Sequence, residues 1–175
     1  MRIAVLSDIH GNLAALEAVL ADIAHHAPDL VVNLGDIVSG PLQPAETADR
    51  LIALDLPTIR GNHERQLLEQ PLAAMGESDA FTRPLLTDYH RQWLAGLPVR
   101  LDLTPEVHAC HGTPASDLEY FLETVTPDGA RTATAAEVVA RAAPISAPVV
   151  LCGHTHMPRA VRLASGQLVV NPGSV

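Results

Sequence analysis

The chain has 175 residues, with 20 acidic side chains against 11 basic ones and a formal charge of −9 when its 9 histidines are neutral. Every basic residue is arginine, which excludes a Walker-type lysine on a nucleotide phosphate, a protein-kinase lysine and a Schiff-base lysine for pyridoxal phosphate. A composition of 47% hydrophobic and 18% charged residues fits one globular domain over 1–175, while the five aromatics and the negative charge argue against non-specific nucleic-acid binding.

The N-terminal apolar run, Ile3 to Leu6, turns polar at Ser7-Asp8-Ile9-His10, too early for a signal peptide. Its β-branched character predicts a strand. Asn12 is an N-cap for a helix whose apolar face is Leu13, Leu16, Val19, Leu20 and Ile23. A second strand, Leu30 to Leu34, runs into Gly35-Asp36, and a second helix is expected over 44–54. Pro57 to Ile59 reads as a third strand, leading through Arg60 into Gly61-Asn62-His63-Glu64. Helices are expected over 64–75 and 83–95, with a break at Gly76-Glu77-Ser78-Asp79. Val107 to Cys110 and Val149 to Cys152 are further strands, ending in His111-Gly112 and Gly153-His154-Thr155-His156, with an alanine-rich helix over 134–143 between them. Residues 161–163 and 167–170 form a hairpin through Ser165-Gly166. Fully apolar strands alternating with helices predict an α/β fold whose sheet is covered on both faces. No run approaches the roughly 20 apolar residues of a membrane span, so a cytoplasmic location is expected. Cys110 and Cys152 form no CxxC pair and read as small buried side chains.

Each of the five strands delivers Asp, Asn or His at its C-terminal end, the edge at which open α/β sheets bind ligands. Asp8 and His10 are two residues apart, which in extended backbone aims both at one point, and His154 and His156 repeat the spacing. Oxygen and imidazole donors of this kind suit a divalent metal. Asp36 adds a carboxylate able to bridge two cations, and the Asn62 carbonyl is an acceptable ligand. His63, next to it and pointing elsewhere, is a candidate acid, and Glu64 suits the dipole of the helix it opens. His111 adds one more imidazole. His25, His26, His90 and His108 read as structural or surface residues. Structural zinc sites favour cysteine-rich sets, and this one is not cysteine-rich.

The ordered set Asp8-x-His10, Gly35-Asp36, Gly61-Asn62-His63-Glu64, His111-Gly112 and Gly153-His154-Thr155-His156 resembles the calcineurin-like metallophosphoesterase superfamily over residues 2–174. The segments Trp93-Leu94-Ala95-Gly96-Leu97-Pro98 and Val169-Val170-Asn171-Pro172-Gly173-Ser174 resemble its small bacterial phosphodiesterase-type branch. The resemblance implies a four-layer α-β-β-α sandwich, with mixed sheets inside and helices outside. It implies two divalent metal ions, manganese first, with iron, zinc, nickel or cobalt as alternatives. Asp8, His10 and His156 would hold one ion, Asn62, His111 and His154 the other, and Asp36 would bridge them. His63 would be the general acid in a hydrolysis of phosphodiesters, or monoesters, driven by a metal-activated hydroxide. Small phosphoesters are the expected substrates, and no membrane partner is implied.

Two departures qualify the match. Residues 35–41 lack the arginine that protein phosphatases and diadenosine tetraphosphatases place in this loop, which leaves a protein phosphatase or dinucleoside polyphosphate hydrolase as an alternative reading. Relatives of the branch continue past the position of Val175, so the expectation is either a shortened chain or a sequence that is part of a longer one. A non-catalytic scaffold on this fold, as in the retromer subunit that lost the catalytic histidine, is the reading from another functional class.

Overall fold

Strand alternation sorts the apolar side chains of this protein into three separate layers. The computed structural model describes residues 1–175. In chain order its first half holds β1 (Ile3–Leu6), α1 (Leu13–His26), β2 (Leu30–Asn33), α2 (Pro44–Leu54), α3 (Asn62–Glu69), α4 (Glu77–Thr82) and α5 (Asp88–Gly96). The second half holds β3 (Arg100–Thr104), β4 (Val107–Cys110), β5 (Glu123–Thr126), β6 (Gly129–Thr132), α6 (Ala135–Ala142), β7 (Val149–Leu151), β8 (Arg159–Arg162) and β9 (Leu168–Asn171).

Strands β1 and β2 pair in parallel, Ile3 opposite Leu30 and Leu6 opposite Asn33, and Thr58 extends them by a single bridge to Asn33. A mixed sheet runs β3-β4-β7-β9-β8, with β4, β7 and β9 parallel and the two outer strands antiparallel. Between the two sheets lie Val5, Val32, Leu34, Ile59, Val107, Ala109, Leu151 and Val170. The residues one step along the same strands face outward: Leu6 and Val31 join the helices through Leu16, Leu51, Leu67 and Leu94. On the far side, Cys110, Val150 and Val169 pack under Val138 and Ala142 of α6. A period of two with both faces apolar is what a strand buried on both sides requires. The result is the expected four layers, helices outside and sheets inside.

The helix signals acted as read at the ends of α1, where Asn12 Oδ1 accepts from Ala15 N at 3.1 Å and Ala27 closes the helix with left-handed backbone. Elsewhere proline moved the boundaries. Gln70-Pro71 ends α3 at Glu69, short of residue 75, and Pro84 sits in a 3₁₀ turn, so α5 starts only after the Thr87 cap. The expected break over 76–79 reduces to Gly76 alone, because Glu77–Thr82 is helical. The third expected strand is one bridge long, since Arg60 N turns away to Pro98 O. Strand β3 alternates Leu101 and Leu103 with polar residues and the β5–β6 hairpin is largely exposed, so neither has the uninterrupted apolar run of the core strands. No helix is long and apolar enough to cross a membrane.

Two loops cross where the sheet ends. Gly35 has φ +97°, and a Cβ there would stand 2.4 Å from Gly61 N. Gly35→Ala is therefore expected to destabilise the fold by more than the roughly 1–2 kcal/mol that left-handed backbone alone costs an L-residue. Urea unfolding measures this, and a change within error of zero would show that the two loops are not held in contact.

Candidate metal centre

Five polar chain segments meet at the C-terminal ends of β1, β2, β4 and β7 and at the start of α3. Asp8, His10 and His156 bring one donor atom each to within 4.8 Å of one another, and so do Asp36, His111 and His154. Asn62 belongs with the second set: its Oδ1 lies 3.1 Å from His111 Nε2. Asp36 lies between the sets, its Oδ2 being 3.1 Å from His111 Nε2 and 4.0 Å from His10 Nε2. All seven residues expected as ligands are thus drawn together, and His63 stands beside them with its ring 5.3 Å from that of His10.

The backbone that does this is not extended. Among non-glycine residues, positive φ occurs at Asp8, His10, Ala27, Asp36, Asp55, His154 and His156. Ala27 and Asp55 are helix C-caps, and the rest are all candidate ligands. The same-side argument from extended spacing is therefore corrected: His154 and His156 point into different sets, because left-handed turns re-aim each side chain after the strand has ended. Left-handed backbone at a non-glycine residue costs of order 1–3 kcal/mol and collects at functional sites.

Hydrogen bonds to carbonyls fix the imidazole tautomers. His10 Nδ1 donates to Ser39 O (2.7 Å), and His111 Nδ1 donates to Leu34 O (2.8 Å), so each Nε2 is turned inward. His154 is reversed: Nε2 donates to Leu118 O (3.1 Å) and Nδ1 faces the set. The inward atoms then converge on one another and on the carboxylates. His10 Nε2 lies 3.1 Å from His156 Nε2, and His111 Nε2 faces the oxygens of Asn62 and Asp36. Asp8 and Asp36 are buried, and their ion partners are imidazoles rather than arginines. Converging acceptors around buried carboxylates need a positive charge at their centre. Oxygen and imidazole donors in these numbers fit a divalent cation at each set.

Without a cation, a proton supplies that charge. Burial works against the charged form of His111, but the charge and hydrogen bond of Asp36 prevail and push its pKa up to about 9. Burial likewise raises Asp36, yet His111 and His63 hold it well below the usual carboxylate range. His154 is pushed down by burial and by His111.

Two residues beside the donor sets have roles that the sequence did not reveal. Asp79, buried on α4, accepts from His63 Nδ1 (2.8 Å) and from Ser39 Oγ (2.5 Å), so it sets the tautomer and direction of the His63 ring. Burial lowers the pKa of His63, but the hydrogen bond to Asp79 and the charges of Asp36, Asp79 and Glu64 leave it raised. Asp79 sits in a polar stretch that reads as a break, so nothing in the sequence marked it. Glu64 does more than suit a helix dipole. Fully buried, it accepts from Asp36 N (2.8 Å), Ile37 N (2.8 Å) and Gly61 N (2.9 Å), which ties the Asp36 loop to the Asn62 loop.

The calcineurin-like phosphoesterase superfamily domain matches residues 1–175. The chain belongs to this superfamily. A metallophosphoesterase from Sphaerobacter thermophilus is 28% identical, with a TM-score of 0.78 over 99% of this chain and 77% of that one. A hypothetical protein from Pyrococcus horikoshii OT3, 21% identical, shares the fold with a TM-score of 0.83 over the same 99% and 77%. An uncharacterized protein of Methanocaldococcus jannaschii is 32% identical over 105 residues, which is 57% of this chain and 43% of that protein. The chain therefore aligns with less than half the length of this curated relative. Calcineurin-like phosphoesterases are hydrolases that use divalent metals, and both donor sets described above suit such ions.

A cation entering the second set must displace the proton on His111. Below about pH 9 the metal-free site carries that proton and above it does not. Titrating Mn²⁺ into chelator-stripped protein at pH 7 is expected to release roughly one proton, with affinity rising roughly tenfold per pH unit toward pH 9. Calorimetry in buffers of different ionisation enthalpy measures the release, and uptake without it would remove His111 from the ligand set.

Proposed function

We propose that this chain is a phosphoesterase that works with two divalent cations and acts on phosphodiesters ahead of monoesters. The observation that carries this reading is the pair of donor sets sharing one carboxylate. Asp8, His10 and His156 would hold one ion, Asn62, His111 and His154 the other, and Asp36 would serve both. Manganese is the first choice, and iron, zinc, nickel and cobalt suit the same donors. Two such cations, when bound, would lower the pKa of water toward neutrality and polarise the oxygens of a phosphate.

The protein's own groups supply the rest. His63 offers the Nε2 side of its ring to the site while Asp79 holds Nδ1–H, an arrangement suited to protonating a departing alcohol. Asp36 Oδ1 accepts from His63 N (3.0 Å), so the residue joining the two donor sets also anchors the acid. Two clefts are lined in part by candidate ligands. One of about 310 Å³ is lined by His111 with Arg100, Thr113 and Ser116, and one of about 330 Å³ by Asp8, His10 and His156 with Ser39 and Leu42. The charge of −9 favours small esters over nucleic-acid polymers.

Adding metals back to chelator-stripped protein tests the reading. Mn²⁺ is expected to restore hydrolysis of bis-p-nitrophenyl phosphate above that of p-nitrophenyl phosphate. Inactivity on both with every metal would point to a scaffold on this fold.

Substitution separates the acid from the ligands. His63→Ala is expected to retain metal uptake and lose about 10²–10⁴-fold in turnover on alkyl esters, whose leaving groups need the proton, with less effect on nitrophenyl esters. Asp79→Asn should follow the same pattern by a smaller factor. Equal losses on alkyl and nitrophenyl esters would remove His63 from the proton-transfer step.

A further inference from the structure

Within the second donor set, His154 is held differently from its neighbours. His111 is anchored to Leu34 O, at the end of a core strand. The ring of His154 rests instead on a surface strap, residues 112–121, which joins β4 to β5. Its Nε2 donates to Leu118 O (3.1 Å), and the Tyr120 ring meets it edge-on at 5.0 Å between centroids. The aim of His154 Nδ1 is thus only as well defined as the position of the strap.

A bidentate pair connects the strap to the other side of the site. Arg65 donates from Nε to Asp117 Oδ2 (2.6 Å) and from Nη2 to Asp117 Oδ1 (2.9 Å). Arg65 lies on α3, three residues after Asn62, and Asp117 directly precedes Leu118. The contacts therefore close a ring, from Asn62 along α3 to Arg65, across to Asp117, through Leu118 O to His154 and back to Asn62. The amide atom of Asn62 that faces the set lies 2.9 Å from His154 Nδ1. The first donor set has no counterpart, since His10 is anchored to Ser39 O within the Asp36 loop.

We propose that Arg65 and Asp117 are positioning residues that hold His154 in register with Asn62, so that this ion pair tunes the affinity of the second metal and leaves the first unchanged. Both side chains are partly exposed, at 29% and 28%, where an ion pair contributes little to fold stability. The planar fork supplies geometry, because two parallel N–H···O bonds fix direction as well as distance. A lysine at 65 would keep the charge and lose the fork. Groups that orient a metal-ligating histidine typically change affinity 10–100-fold when removed.

The inference rests on the two-cation reading, and one experiment tells their failures apart. Chelator-stripped protein, as wild type, Asp117→Asn and Arg65→Lys, is titrated with Mn²⁺ by calorimetry, and the thermal midpoint of each metal-free form is recorded. The expected result is two equivalents in wild type, and in both variants a second-site affinity weakened about 10–100-fold with the first site and the metal-free midpoint unchanged. An unchanged second site in the variants overturns the inference and leaves the two-cation reading standing. Equal weakening at both sites, or a lowered midpoint in both variants, also overturns it, by assigning the pair to general fold stability. A single equivalent in wild type overturns the two-cation reading itself, and the inference with it.

Discussion

Asp36 is buried where no arginine pairs with it, and its nearest ion partners are the imidazoles of His111 and His10. A carboxylate in that position is tolerable only with positive charge beside it and donors on its remaining lone pairs. The surroundings meet both needs. His63 N donates to Oδ1, the inward ring nitrogens converge near Oδ2, and Glu64 fixes the backbone on which Asp36 rides. Glu64 is itself a buried acid close to another, and its pKa is raised by burial and by the charge of Asp36 against the pull of its backbone hydrogen bonds. Two negative groups thus share one small volume, and much of the local architecture serves to make that arrangement stable.

Its other expense is backbone strain. Asp8, His10, Asp36, His154 and His156 all adopt left-handed backbone, and the loops carrying them must be held by the layers beneath. Those layers are suited to the task. The intersheet layer of Val32, Leu34, Ile59, Ala109 and Leu151 is buried, and it lies directly below the loops. Close-packed interiors resist deformation, so strain at the rim is carried by packing below it.

The site was more legible in the sequence than the fold around it, for physical reasons. The candidate ligands are Asp, Asn and His, and several closely follow a buried strand, so type and position together mark Asp8, Asp36, His111 and His154. The core strands announced themselves through uninterrupted apolar runs. Strand β3 and the β5–β6 hairpin did not, because one-sided or exposed strands carry polar residues that look like loop. Asp79 was invisible because its role depends on a helix folding back over the site, and no local pattern records a tertiary approach. Glu64 was seen, but its main task is to hold amides 27 and 28 residues away, which a helix-dipole argument has no means to reveal.

The donor sets also cross the boundary between the two sheets. Asp8 and His10 follow β1 of the smaller sheet while their companion His156 follows β7 of the larger one, 146 residues from His10. Asp36 follows β2, whereas His111 and His154 come from the larger sheet. An ion gripped by such a set would tie together the ends of a very long loop, as a disulfide does, and would restrict the unfolded chain most where the separation is greatest. The two cysteines, buried among apolar side chains with their thiol pKa values pushed up, form no such link. Within this small sandwich, reversible cross-linking thus falls to the same atoms that would handle phosphate.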